Sequence, residues 1–209
     1  MNKVFCTNHP LIEHKLGLLR DQSTKPFQFR MLIDEISTFL LFEATKDLNL
    51  KEIQIQTPVS NAKVKKLNEK IMICPILRAA LGMLESVFRL IPDASVGFLG
   101  FARNEETLEA DFYFEKIPQD AAKRVAIVID PMFATGGTAI EACKFLKSKG
   151  VKKIKFISIL ATPKGIENFR KVHEDIEIYV AAIDENLNEK GYIVPGLGDA
   201  GDRVFNTLG

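Results

Sequence analysis

Five short apolar runs, at residues 71–77, 95–101, 125–129, 154–160 and 176–183, constrain the fold of this chain more than any other feature. Between and after them come helical patterns that start near Leu81 and that cover residues 139–148 and 165–172, with Gly150 supplying a C-cap. Strands buried on both faces read as uninterrupted apolar runs, and helices of about three turns between them indicate parallel crossovers. The expected fold class is α/β: a mainly parallel twisted sheet with helices on both faces. A chain of 209 residues suits one domain and buries roughly 70% of the surface its unfolded form exposes. No repeat, low-complexity tract or Pro/Gly/Ser-rich linker divides it. We expect a single domain over 1–209, with an N-terminal helical part at 1–70, an α/β core at 71–185 and a tail at 186–209.

Two segments carry a different period. From Phe29, the apolar residues Phe29, Leu32, Ile33, Ile36 and Leu40 follow helical spacing, with Arg30, Asp34, Glu35, Ser37 and Glu43 on the other face. Ser23 and Thr24 upstream supply capping chemistry, and Pro26 suits a first helical turn. Between Thr107 and Glu115, Leu108, Ala110, Phe112 and Phe114 alternate with polar residues and Tyr113. That period of two predicts an antiparallel β-ribbon arm, at about 103–117, with one wet face. Residues 51–68 show only weak alternation at Ile53 and Ile55 and leave the local structure open.

The charge balance narrows the partners. Lys and Arg number 28 against 27 Asp and Glu, a formal net charge of +1. A domain built chiefly to hold a nucleic-acid backbone is usually visibly basic. No stretch approaches the roughly 20 apolar residues of a membrane-spanning helix. Cys6, Cys74 and Cys143 form no C-x-x-C pair, and no signal peptide is present, so a cytoplasmic, reducing location without membrane contact is expected.

The sharpest local feature is the apolar run 125–129, then Asp130, then Pro131, Met132, Phe133, Ala134, Thr135, Gly136, Gly137 and Thr138, then a helix. Ligands of a doubly wound sheet lie beyond the carboxyl ends of its strands, where Asp130 falls. Glycines and threonines at a helix N-terminus let backbone N–H groups close on a phosphate. An acid one turn before such a cradle suits a sugar phosphate. A tight strand-to-helix turn capped by Asp and Thr fits the same pattern equally well. No G-x-x-x-x-G-K-[ST] motif occurs. Gly196, Gly198 and Gly201 match G-x-G-x-x-G, but the stretch beyond is too short for the βαβ unit of about 30 residues that this fingerprint opens. Three glycines and Pro195 there say that backbone rather than side chain is presented.

Residues 130–138, the segment Pro75-Ile76-Leu77-Arg78-Ala79-Ala80-Leu81 and the tail from Tyr192 to Asp202 together resemble the uracil phosphoribosyltransferases. The likeness spans essentially the whole chain, including His9-Pro10-Leu11 and Gly100-Phe101-Ala102-Arg103. It implies transfer of the phosphoribosyl group of 5-phosphoribosyl 1-diphosphate to uracil, giving UMP and diphosphate, with Mg2+ as cofactor. It also implies that the sugar-phosphate loop is Asp130 to Thr138 and that Arg78 and Arg103 contact diphosphate. Asp199 then serves the same substrate, and Ile193, Gly198, Asp199 and Ala200 bind uracil in a C-terminal hood. A homodimer or higher homo-oligomer and a GTP activator are further implications, although no residue set in the sequence marks a GTP site.

The residue chemistry agrees with these roles. Arginine suits bidentate phosphate recognition, and Arg78, ending an apolar run, is costly unless paired. A buried structural ion pair is its bland alternative. Arg103, beside Asn104, Glu105 and Glu106, is expected on a loop that closes over substrate. The wider phosphoribosyltransferase pattern has two consecutive acids after the strand, whereas Pro131 stands second here. No protein ligand is therefore assigned to Mg2+, which is expected to be held mostly by substrate oxygens and water. His9, His14 and His173 have no spacing that makes a Cys/His dyad. The lysines from Lys147 to Lys155 read as a solvated helix end and strand edge. Two rival readings are an RNA-binding regulator of pyrimidine genes on the same fold and a purine phosphoribosyltransferase.

Overall fold

The computed structural model describes residues 3–103 and 110–207. The N-terminal part contains β1 (Val4–Cys6), α1 (Pro10–Arg20), α2 (Pro26–Ala44), β2 (Leu50–Gln56) and β3 (Asn61–Leu67). The centre follows with β4 (Ile71–Leu77), α3 (Leu84–Leu90), β5 (Ser95–Val96), β6 (Phe98–Arg103) and β7 (Ala110–Lys116). Next come β8 (Val125–Ile129), β9 (Met132–Phe133), α4 (Gly137–Ser148), β10 (Lys153–Ala161), α5 (Pro163–Val172) and β11 (Glu177–Ile183). The tail forms β12 (Asn186–Leu187), β13 (Ile193–Val194) and α6 (Ala200–Phe205).

The principal sheet runs in the order β1-β11-β10-β8-β4-β6-β7, with β5 added to β4 and β9 to β10. Its pairings are parallel except β6 with β7. Alternate residues of one strand point to opposite faces. Ile71 and Ile73 of β4, with Ile127 and Ile129 of β8, meet α1, α2 and α3, whereas Met72, Cys74, Ala126 and Val128 meet α4 and α5. Both faces are covered, which is why these strands carry no alternation in sequence. On α2, Phe29, Leu32, Ile33, Ile36 and Leu40 are all buried, as their spacing predicts. Truncating a fully buried phenylalanine such as Phe29 costs about 3–5 kcal/mol.

Three expectations are refined. Residues 1–70 are not helical throughout. Strand β1 pairs with β11, and residues 50–67 form an antiparallel hairpin with nearly every residue exposed or half-buried. The ribbon starts earlier than about 103, because β6 pairs with β7 from Phe98 onward and with β4 at Leu99 and Gly100. It therefore extends the sheet edge rather than standing apart from it. Its dry face is also half-exposed: Phe112 packs on Phe101 and Phe145 but stays largely in solvent, as does Phe114. Among the described residues, no helix is long and apolar enough to cross a membrane.

The crossovers place the site. From β8 the chain passes through α4 to β10 on one side, and from the adjacent β4 it passes through α3 to β6 on the other. The two helices lie on opposite faces of the sheet. A crevice opens where such connections diverge, beyond the carboxyl ends of the strands. Asp130 and Arg78 are the residues that follow those two ends.

Candidate active site

Asp130 leaves β8 with its N–H donated to the Ile157 carbonyl (3.1 Å), and its Oδ1 accepts the Met132 N–H (3.3 Å). Burial pushes its carboxyl up to about 7, and the Met132 N–H opposes that only in part. The chain then adds β9 to β10 at Leu160 and Ala161, with Pro131 buried behind it. Gly136 takes a left-handed φ of +84° that turns the backbone into α4, whose first-turn residues 137–139 line the crevice. First-turn N–H groups have no partner within the helix, so this end attracts an anion.

The loop is fixed from behind by α5. Thr162 donates its hydroxyl to the Ala134 carbonyl (2.6 Å) and its N–H to Phe133 O (3.1 Å), while Asn168 donates Nδ2–H to Thr135 O (3.1 Å). Gly165 packs so closely that a Cβ there would lie 2.3 Å from Ala134 O. These three residues are not predicted from the sequence. Thr162-Pro163 does carry a helix-start signal, and Thr162 indeed caps α5 by accepting the Gly165 N–H (2.9 Å). Its second task, holding the preceding loop, has no sequence signature.

The facing wall comes from the tail. The two walls enclose a cleft of about 230 Å3, lined by Asp130 and residues 132–139 on one side and by 191–193 and 198–201 on the other, with Ala79 at one end. Asp199 caps α6, its Oδ1 accepting the Asp202 N–H (2.9 Å) and its Oδ2 the Tyr192 hydroxyl (3.4 Å). Ala79, Ala139, Gly191, Tyr192 and Gly201, to which the sequence assigns no role, also line the cleft.

Of the residues singled out from sequence, the cleft brings together Asp130, Met132, Phe133, Ala134, Thr135, Gly136, Gly137, Thr138, Ile193, Gly198, Asp199 and Ala200. Pro131 lies behind the wall. Arg78 is not in a buried ion pair. It is exposed, its Nη2 is 3.7 Å from Asp202 Oδ1, and it flanks cleft-lining Ala79. Arg103 closes β6, but its side chain, like Asn104, Glu105, Glu106 and the rest of the expected closing loop, lies outside the described residues. The histidines do other work: His9 caps α1 through Nδ1, and buried His173 approaches the Ile140 carbonyl with Nε2 at 3.0 Å. Cys74 and Cys143 are buried, and burial raises both thiols far above their usual range. The lysine run forms no uniform surface, since Lys155 is buried against Ala44 O, Asp47 and Glu177.

A family model described as uracil phosphoribosyltransferase matches residues 6–207. A uracil phosphoribosyltransferase of Campylobacter jejuni is 77% identical over 208 residues, covering 100% of both chains. The solved AQ2163 protein of Aquifex aeolicus superposes with a TM-score of 0.93 at 40% identity, over 97% of each chain. A hypoxanthine-guanine phosphoribosyltransferase of Bacillus anthracis shares the fold, with a TM-score of 0.53 at 18% identity over 76% of this chain and 80% of its own. A match that runs almost the full length, over the same residues that wall the cleft, leaves one assignment: the chain belongs to the uracil phosphoribosyltransferase family.

Proposed function

We propose that this protein salvages uracil by transferring the phosphoribosyl group of 5-phosphoribosyl 1-diphosphate to it, giving UMP and diphosphate. One observation carries the reading: a strand-end carboxylate and a helix N-terminus share one cleft with a glycine-rich tail. The 5′-phosphate sits on the N–H groups of residues 136–139 and the hydroxyls of Thr135 and Thr138. Asp130, as carboxylate, accepts the ribose hydroxyls. Displacement at C1′ builds positive charge on the ribosyl, and Asp130 placed beneath those hydroxyls stabilises it. Arg78 and Arg103 take up charge on the departing diphosphate, Arg78 by releasing its long contact to Asp202.

Uracil binds along Ile193 and residues 198–200. Its alternating donors and acceptors lie in one plane, and the main chain supplies the matching groups. A wall built for O4 and N3–H leaves a buried group unpaired against cytosine, which excludes that base. Asp199 orients this wall through its bond to the Asp202 N–H and contacts the diphosphate substrate with its remaining edge.

Magnesium fits this cleft as a substrate-held ion. Among the described residues no three His, Cys, Asp or Glu side chains converge, while Asp130 and Asp199 both face the cleft. Mg2+ is commonly bound by one or two carboxylates together with substrate phosphates and water, and it supplies charge neutralisation of the diphosphate. Self-association and GTP activation complete the proposed reading. Phe27, Met31 and Phe42 are apolar side chains exposed on α2, which suits contact with a second copy. Diphosphate release with uracil, hypoxanthine and adenine in competition tests the reading: uracil alone should support turnover, and faster release with either purine refutes it.

A further inference from the structure

Both backbone polar groups of Gly196 are held by one ion pair from distant parts of the chain. Arg20, the last residue of α1, grips Asp184 with both terminal nitrogens, Nη1 to Oδ2 and Nη2 to Oδ1, each at 2.7 Å. The same Nη1 donates to the Gly196 carbonyl (2.8 Å), and Asp184 Oδ2 accepts the Gly196 N–H (2.9 Å). Asp184 is buried at the end of β11. Gly196 has a φ of +59°, and a Cβ there would stand 2.1 Å from the Ile193 carbonyl oxygen, so only glycine closes this turn. One residue on, the Leu197 carbonyl accepts from Arg203 Nη1 (2.7 Å). Arg203 also binds Leu19 O (2.8 Å) and Asp21 O (2.6 Å) and lies over the Phe29 ring at 4.2 Å.

These anchors fall at the centre of the base wall. Residues 191–193 and 198–201 line the cleft, and the clamped pair Gly196–Leu197 joins them. A pair whose task was only to fasten α1 would be replaceable, because buried ion pairs often yield to apolar pairs without loss of stability. Apolar side chains cannot, however, satisfy a peptide N–H and a carbonyl at once. The planar guanidinium fork meets that geometry, and a lysine ammonium does not.

We infer that Arg20, acting with Asp184, is a positioning residue for base recognition: it fixes the Gly196 peptide and thereby the register in which the flanking backbone meets the base. The inference rests on the uracil reading above. It predicts a split between the two substrates, because the anion loop at 134–138 is held by α5 and shares none of these contacts.

The experiment is steady-state kinetics of the full chain with each substrate varied, for Arg20→Lys, Asp184→Asn and the control Lys15→Ala, which removes the α1–α2 ion pair to Glu35. Arg20→Lys and Asp184→Asn should each raise KM for uracil about tenfold or more, with KM for the diphosphate substrate within about twofold. Lys15→Ala should leave both values in place. Discrimination against cytosine should fall in Arg20→Lys and Asp184→Asn alone. Folded variants with both KM values unchanged, or raised together, overturn the inference. So does full rescue by lysine, which points to charge alone. Loss of cooperative unfolding in both clamp variants overturns it in favour of a purely stabilising pair. Failure of the wild-type protein to use uracil refutes the uracil reading instead, and the same variants measured with the base it does use still decide the clamp.

Discussion

The two walls of the cleft are held in opposite ways. The loop after Asp130 is fastened by Thr162 and Asn168, which lie 28 and 33 positions from their acceptors along the chain. The base wall is tied to α1 across separations of 164 to 184 positions, by Arg20 to Asp184 and Gly196 and by Arg203 to Leu19 and Asp21, while its inner bonds, Arg203 to Leu197 and Asp184 to Gly196, span only 6 and 12. The first is one continuous stretch, from β8 through the loop, α4 and β10 to α5, a unit that any doubly wound sheet can carry. The second needs the two ends of the chain to meet. On the proposed reading, the difference teaches that the sugar-phosphate wall is a local unit of this fold, whereas the wall that chooses the base depends on contacts between distant parts of the chain.

The hardest test of that division is Asp130→Asn. It should lower kcat by about a thousandfold while the thermal unfolding transition persists, since it removes charge that counts most in the transition state. Near-normal turnover would dissolve the role of the loop wall in the chemistry. The same carboxyl sets a pH dependence. Because its value in the fold, about 7, lies above the ordinary 3.8, the folded chain binds this proton more tightly than the unfolded one. Its contribution to stability is therefore complete below 3.8 and is lost as pH rises to about 7. On the proposed reading the substrate is held by the carboxylate form, so kcat/KM for 5-phosphoribosyl 1-diphosphate should climb through about 7 and level above it, a limb that Asp130→Asn abolishes.

A matched pair of glycine changes comes next. Gly165→Ala forces a Cβ to within 2.3 Å of Ala134 O, and Gly196→Ala to within 2.1 Å of Ile193 O. The first should raise KM chiefly for the diphosphate substrate and the second chiefly for uracil, each by about tenfold or more. If either change moves both constants equally, the walls are not independent. Asn168→Ala is milder: loss of one neutral hydrogen bond to Thr135 O should raise KM for the diphosphate substrate about fivefold and spare uracil. The smallest effect is expected for Tyr192→Phe, whose hydroxyl lies 3.4 Å from Asp199 Oδ2; less than about a threefold change in either KM is expected by initial-rate measurement.

Legibility in the sequence follows the same division. The parallel core and the turn at 130–138 are readable because burial on both faces erases alternation and because glycine, threonine and a helix start lie side by side. The hairpin at 50–67 is not readable, since it lies off the main sheet with nearly every residue exposed or half-buried and no core face to impose a period. Arg78 ends an apolar run and so suggests a buried charge, yet the chain leaves the sheet at that residue and turns its side chain outward. Arg20, Asp184 and Arg203 look like ordinary surface charges in a linear reading, because nothing in their neighbourhoods records partners more than 160 positions away. Glycines 196 and 198 signal that backbone is displayed without indicating what holds it.

The bond from Arg203 to Leu19 O has a consequence for how the protein comes into being. Synthesis delivers β1 and α1 first, while their partners in β11, at Asp184 and at Arg203 emerge last. Contacts of such long separation close late, because the loop entropy must be met before they form. On the proposed reading, a nascent chain that already carries the anion loop therefore still lacks a finished seat for the base, and selectivity is the last property it would acquire.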